Sequence, residues 1–128
     1  MHRLFSILLA DDNRAWRLDA ARWLEESGYI VVDAETGREA VEKALAHPPD
    51  VSVLDMYMPD MTGLDIVRVW KSEGIQAPCI LMSGEADQEI RLKALEEGVF
   101  SFLQKPVPSE LLKFTVERAL RTFFREGG

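Results

Sequence analysis

The chain has few cysteines, and this scarcity removes one way of holding a fold together. Cys79 is the one cysteine among 128 residues, so a disulfide bond within the chain is excluded. Chains without disulfide bonds are typical of reducing compartments. Cys79 lies in the apolar run 79–82, and we expect it to be a small buried hydrophobic residue rather than a reactive thiol.

Long hydrophobic runs and an excess of basic residues are lacking as well. No apolar run approaches the roughly 20 residues of a membrane-spanning helix, and acids directly behind the first apolar run are not typical of a signal peptide. Fifteen Lys and Arg residues against 22 Asp and Glu residues give a net charge of −7, which disfavours direct binding to nucleic acid or to an anionic membrane. We therefore expect a cytoplasmic protein that binds neither.

Five apolar runs alternate with five amphipathic stretches along the chain. This order is typical of βαβ units and predicts an α/β fold with a doubly wound, five-stranded parallel sheet. The predicted strands cover residues 4–10, 29–34, 51–55, 79–83 and 100–103. A length of 128 residues fits one domain, so we expect residues 1–128 to form a single domain.

The amphipathic stretches have apolar residues at helical spacing. In the first stretch this spacing places Trp16, Trp23 and Leu24 on one face, so we expect both tryptophans in the core and Arg17 mostly on another face. Residues 36–39, Thr-Gly-Arg-Glu, have the pattern of a capping box at the start of the second helix.

The fifth helix has more apolar residues than one buried face needs. Its predicted core residues are Leu112, Val116, Ala119, Leu120 and Phe123. Leu111, Phe114 and Phe124 are additional. Either the core face of this helix is wide, or the additional residues form a surface for a dimer or another partner.

Polar side chains stand at the carboxyl ends of four predicted strands. They are Asp11 and Asp12 after the first strand, Asp55 at the end of the third, Ser83 at the end of the fourth and Lys105 after the fifth. In an open parallel sheet, ligands bind outside the carboxyl ends of the strands. We therefore expect these side chains to line one pocket.

The chemistry of this pocket follows from its charges. Three neighbouring carboxylates repel one another unless a cation lies among them, and oxygen ligands with room for water suit Mg²⁺. Asp11, Asp12 and Asp55 are therefore the predicted metal ligands. With the ammonium of Lys105 and the hydroxyl of Ser83, the pocket can receive a phosphoryl group, and Asp55 is the predicted nucleophile.

These residues, with Met58-Pro59 and Gly63 after Asp55, Gly84 after Ser83 and Pro106 after Lys105, resemble the receiver domain of two-component response regulators. The resemblance covers nearly the whole chain. It implies a flavodoxin-like (βα)5 fold with the strand order 2-1-3-4-5. It also implies a signalling domain, rather than an enzyme, that catalyses its own phosphorylation and dephosphorylation. The phosphoryl donor would be a phosphohistidine on a sensor histidine kinase or phosphotransfer protein.

The resemblance implies roles for further residues. The backbone carbonyl of Tyr57 would complete the metal shell, and Lys105 would stand at the position of the family's invariant lysine. Ser83 would draw toward the phosphoryl group and Phe102 would turn inward. Helix 4, strand 5 and helix 5 would then change shape for a downstream effector protein or domain, or for a homodimer. Tyr57 and Glu85 stand at positions that tune hydrolysis, with the direction of their net effect left open.

Two other functions remain open at this point. A receiver-shaped interaction module would bind a partner without cycling through a phosphorylated state. A phosphatase-like hydrolase would form an aspartyl phosphate during turnover, but such enzymes typically have a second acid where this chain has Tyr57. The sequence also leaves open whether the chain is a single-domain regulator or part of a longer one.

Overall fold

The computed structural model describes residues 4–84 and 88–124. These residues form strands and helices that alternate along the chain: β1 (Ser6–Ala10), α1 (Arg14–Glu26), β2 (Ile30–Ala34), α2 (Gly37–Ala46), β3 (Val51–Asp55), α3 (Gly63–Ser72), β4 (Cys79–Ser83), α4 (Gln88–Glu96), β5 (Ser101–Gln104) and α5 (Ser109–Phe123). The strands form one parallel sheet in the order β2-β1-β3-β4-β5. The predicted fold class and strand order are confirmed. None of the helices in these residues is both long and apolar enough to cross a bilayer.

The sheet has an apolar core on each of its two faces. Successive side chains of a strand point to opposite faces, so Leu8 of β1 belongs to the core that includes residues of α2, α3 and α4, whereas Ile7 and Leu9 belong to the core that includes residues of α1 and α5. All residues of β3 and β4 are buried. This double burial explains why these two strands are apolar throughout, apart from Ser52 and the polar residue that ends each of them, Asp55 and Ser83.

The predicted strand bounds agree with the structure to within two residues, and those of β3 and β4 agree fully. Strand β1 begins at Ser6, where the Asp50 carboxylate accepts the Ser6 backbone N–H at 2.8 Å. Cys79 is 6% exposed, and burial raises the pKa of its thiol to about 12. The expectation that Cys79 is an unreactive core residue is therefore confirmed.

The end of α5 corrects one prediction. Phe123, predicted in the core, is the last residue of the helix and its side chain is 52% exposed. Its ring packs edge-on against Phe100, with 6.0 Å between ring centroids. The next residue, Phe124, approaches the core instead and lies 5.4 Å from the Phe5 ring. Phe124 has already left the helical conformation, so at this end of α5 the helical spacing no longer predicts which side chain reaches the core.

The other apolar residues of α5 lie partly in the core and partly at the surface. Leu112, Val116, Ala119 and Leu120 are buried as predicted. Leu111 and Phe114 are 41% and 59% exposed. A wide core face therefore does not account for these two residues.

The start of α2 is capped from a distant part of the chain. Thr36 accepts the Glu39 backbone N–H at 3.0 Å, which is one half of the predicted capping box. The Asp60 carboxylate, from the loop between β3 and α3, accepts the N–H groups of Gly37 and Arg38 at 2.9 Å each. These hydrogen bonds lower the pKa of Asp60. The full reciprocal box forms at α3, between Thr62 and Asp65.

We expect Asp60→Ala to lower the free energy of unfolding by about 1 kcal/mol, because it removes the acceptor of two N–H groups at a helix start. Urea unfolding followed by circular dichroism measures the change. Asp19→Ala is the matched control: Asp19 lies on the exposed side of α1, paired with Arg22, and should change stability by less than about 0.5 kcal/mol. Equal effects of the two substitutions would contradict the capping role.

Candidate functional site

Three acids meet at the carboxyl ends of β1 and β3. These strands are neighbours in the sheet, and Ala10 lies opposite Leu54. The residues that follow this pair are Asp11 and Asp55, and Asp12 comes next in the chain. One carboxylate oxygen from each of the three acids lies within 4.8 Å of the others. Asp11 and Asp55 are buried, whereas Asp12 is exposed.

Lys105 brings a positive charge to these acids. Its Nζ lies 2.6 Å from Asp11 Oδ2 and 3.5 Å from Asp55 Oδ2. The Lys105 backbone N–H donates to the Ser83 carbonyl at 2.8 Å, so the pairing of β4 with β5 places the lysine at the same edge as the acids. One ammonium cannot neutralise three carboxylates. The site therefore keeps a net negative charge that favours a further cation.

The environment of Asp55 makes its ionised form costly. Burial, followed by the neighbouring charge of Asp11, raises the pKa of Asp55 to about 6. Lys105 and a hydrogen bond from the Tyr57 backbone N–H act in the opposite direction. A cation bound beside Asp55 would offset both causes of the shift. The oxygen-only donor set and the uncompensated charge fit a hard divalent ion such as Mg²⁺.

Asp11 is fixed on both its side chain and its backbone. Its Oδ1 accepts the Asn13 backbone N–H at 2.8 Å. Its carbonyl accepts a hydrogen bond from Arg17 Nη1 at 2.8 Å, and Arg17 Nε donates to Asp33 Oδ2 at 2.9 Å. These bonds hold the end of β1 in the position that directs the Asp11 carboxylate toward Lys105.

Arg17 corrects the expectation that the arginines of α1 lie away from the core face. Arg17 is 6% exposed, and with Ala20 and Leu24 it has the i, i+3, i+7 spacing of a buried stripe. The charge of Arg17 argues for the surface, and only its hydrogen bonds to Asp33 and to the Asp11 carbonyl explain why it is buried. Trp16 and Trp23 were expected in the core; both side chains pack against the core but are partly exposed.

The remaining predicted residues lie around the acids. Ser83 is 1% exposed and ends β4 one residue beyond Met82, which lies opposite Asp55. Tyr57 is 43% exposed. Glu85 lies outside the residues that the structure describes.

The ring of Phe102 is already buried in this structure. It is 6% exposed and belongs to the core on the α2, α3 and α4 face. The Arg91 guanidinium lies 5.9 Å from the ring centroid. An inward turn of Phe102, as the resemblance implies, would therefore have little distance left to cover from this conformation.

Gly63 allows α3 to begin directly against the end of β3. A Cβ atom at this position would lie 2.8 Å from Leu81 Cδ2 and 3.0 Å from the Asp55 carbonyl. The Gly63 backbone N–H donates to the Met56 carbonyl at 2.7 Å. The loop after Asp55 is thus closed by a contact that only glycine fits without displacement.

The fold and the acidic site are shared with a known class of protein. The family model of the response regulator receiver domain matches residues 7–117. The chain belongs to this family, which serves two-component signalling. Receiver domains bind Mg²⁺ at an acidic cluster of this kind, and response regulators work with kinase and effector partners in general.

Curated relatives share about a third of their matched residues with the chain. Response regulator MprA of Mycolicibacterium vanbaalenii is 35% identical over 115 residues, which are 90% of this chain and 50% of that protein. A cyclic di-GMP phosphodiesterase of Thermotoga maritima is 33% identical over 116 residues, which are 91% of this chain but 31% of that protein. The chain thus spans about half or less of the length of these relatives.

Solved structures agree with the fold. Chemotaxis response regulator CheY4 of Vibrio cholerae superimposes with a TM-score of 0.84 at 31% identity, covering 92% of this chain and 100% of that one. A CheY-like receiver domain protein of Methanospirillum hungatei gives a TM-score of 0.91 at 26% identity, covering 98% and 100%.

We expect Asp55→Asn to stabilise the metal-free fold at neutral pH. Folding raises the pKa of Asp55 from 3.8 to about 6, so the folded chain binds this proton more tightly and loses stability as pH rises through that window. The variant cannot ionise here. It should therefore be more stable than wild type by about 1–3 kcal/mol at about pH 7, and the gain should vanish below about pH 4.

Urea unfolding with a chelator present, at both pH values, measures this difference. Glu25→Gln, at an exposed position of α1, is the control and should show no such pH dependence. If Asp55→Asn gives no stabilisation near neutral pH, the ionised form of Asp55 is not disfavoured in the folded chain.

Proposed function

We propose that this receiver domain accepts a phosphoryl group on Asp55, in a Mg²⁺-dependent transfer from a phosphohistidine of a sensor histidine kinase or phosphotransfer protein. The observation that carries the proposal is the position of Asp55. Its carboxylate is buried, has a raised pKa, and lies 3.5 Å from Lys105 within a cluster of acids. We further propose that residues 1–128 act as a single receiver domain.

In the transfer, an Asp55 carboxylate oxygen forms a bond to phosphorus while the phosphorus–nitrogen bond to the donor imidazole breaks. The electron pair of that bond stays on the imidazole. With a pKa of about 6, Asp55 is mostly ionised at neutral pH and is able to attack. Lys105, held 2.6 Å from Asp11, neutralises charge on the transferred oxygens, and the Ser83 hydroxyl donates to one of them.

The carboxylates of Asp11, Asp12 and Asp55 would hold Mg²⁺, together with the backbone carbonyl of Tyr57. The three carboxylates offer hard oxygen ligands close to one another, which suits this ion. When bound, the ion supplies electrostatic neutralisation of the phosphoryl oxygens. Tyr57 and Glu85 are proposed to tune the rate at which the domain hydrolyses its own phosphoaspartate.

The proposed output surface is formed by α4, β5 and α5. Helix α4 has one buried residue, Ala94, within Gln88–Glu96, so little apolar contact opposes its movement. Leu92 and Leu95 of α4, and Leu111 and Phe114 of α5, are exposed apolar residues. They would provide contact area for an effector protein or domain, or for a second copy of the chain. Movements of Ser83 and Phe102 are proposed to link Asp55 to this surface.

Incubation with Mg²⁺ and a small phosphodonor such as phosphoramidate should add one phosphoryl group, measured as intact mass. We expect Asp55→Asn to abolish the adduct and a metal chelator to suppress it. Asp65→Asn, at the exposed start of α3, is the matched control and should retain full labelling. An adduct that persists in Asp55→Asn would assign phosphorylation to another residue, and none on wild type would overturn the proposal.

Phosphorylation should shift amide resonances most strongly at residues 88–124, compared with α1 and α2. We expect Ser83→Ala to be phosphorylated and yet to show much smaller amide shifts, because this variant lacks the hydroxyl that would move toward the phosphoryl group. Two-dimensional amide spectra before and after phosphorylation measure both effects. Full shifts in Ser83→Ala would exclude the switch role of Ser83.

One observation favours a second candidate, an interaction module that does not cycle. Phe102 is 6% exposed, so an inward turn of its ring on phosphorylation would have little distance to cover. Such a module would give the same amide spectrum before and after phosphorylation. It would also bind its partner equally well as wild type and as Asp55→Ala.

A further inference from the structure

The ring of Trp16 lies beside the ammonium of Lys105. Nζ of Lys105 is 5.3 Å from the centroid of the Trp16 ring, within the range of a cation–π interaction. The same Nζ contacts the carboxylates of Asp11 and Asp55 at 2.6 and 3.5 Å. The lysine side chain is 22% exposed. Its charge is therefore held by two acids and one aromatic face.

The ring differs from the acids in what it does to an incoming phosphoryl group. An aromatic face attracts a cation through its quadrupole and carries no net negative charge. It can hold the ammonium while repelling the anionic phosphoryl oxygens far less than a full negative charge would. A carboxylate in its place would bind the ammonium more strongly but would add to the repulsion already caused by Asp11, Asp12 and Asp55.

The position of Trp16 is itself fixed by its surroundings. Its backbone N–H donates to the Asn13 side chain at 3.1 Å, which caps the start of α1. Its ring packs edge-on against Trp23, with 6.4 Å between centroids and 89° between planes. The aromatic face next to Lys105 is thus largely preorganised, and holding the ammonium costs little additional side-chain order.

We propose that Trp16 is a positioning residue for Lys105, and that its ring keeps the ammonium at the pocket where it neutralises the phosphoryl group on Asp55. This role rests on the proposed function of Asp55. Trp16 itself contacts neither the phosphoryl group nor a metal ion in this proposal. It acts through Lys105.

The test compares Trp16→Leu, which removes the aromatic face, with Trp16→Phe, which keeps one. Phosphorylation by phosphoramidate at saturating Mg²⁺ should be about three- to tenfold slower in Trp16→Leu. Trp16→Phe should retain most of the rate. Trp23→Leu, which removes the edge-on neighbour of Trp16 but keeps the Trp16 ring and Lys105, is the control for loss of aromatic packing on α1 and should slow the reaction much less than Trp16→Leu does.

A second measurement reports the contact without any phosphorylation. The Lys105 side-chain protons should show an upfield ring-current shift in the wild-type spectrum, lost in Trp16→Leu and retained in Trp16→Phe. Absence of this shift in wild type would overturn the proposal at its first step. Because the three acids are unchanged, the Mg²⁺ affinity measured by calorimetry should stay within about twofold in all three variants.

The rates separate this proposal from the proposed function. An adduct that forms on Asp55 at the same rate in Trp16→Leu as in wild type would overturn the role of Trp16 alone. Equal slowing in Trp16→Leu, Trp16→Phe and Trp23→Leu would assign the effect to packing of α1 and also overturn it. Absence of any adduct on wild type would overturn the proposed function, and this role with it.

Discussion

The repulsion among three carboxylates at the ends of neighbouring strands is the constraint on which the site depends. The pairing of β1 with β3 forces Asp11 and Asp55 together, and burial adds to the cost of their charges. The fold offsets part of this cost with Lys105 from the end of β5 and with a hydrogen bond from the Tyr57 backbone N–H. The repulsion that these two interactions leave uncompensated favours the binding of a cation. It also distinguishes Asp55 chemically from the surface acids.

Much of the fold could be predicted from the sequence because local pattern and burial agree. Strands β3 and β4 are buried on both faces, so their apolar runs define them without ambiguity. The convergence of the acids follows from strand order alone, since parallel strands present their carboxyl ends at one edge. The start of β1 was less predictable, because it is set by the Asp50 carboxylate, 44 residues away from Ser6.

Contacts between distant residues, and one residue of unexpected polarity, account for what could not be predicted. Asp60 caps a helix 22 residues earlier in the chain, and no local pattern indicates this. Arg17 occupies a core position because Asp33 and the Asp11 carbonyl satisfy its charge, whereas a sequence pattern assigns charge to the surface. The exposure of Phe123 could not be predicted because it is the last residue of α5, where helical spacing is a poor guide to burial.

The two apolar cores are separated by the backbone of the sheet. Phe102 belongs to the core that includes residues of α2, α3 and α4, while its neighbour Leu103 belongs to the core that includes residues of α1 and α5. Substitutions in separate cores share few partners, so their energetic effects should largely add. The chain can therefore diversify one layer during evolution while the packing of the other stays intact. A parallel sheet buried on both sides thus acts as a partition, across which a substitution in one helical layer leaves the side-chain packing of the other layer undisturbed.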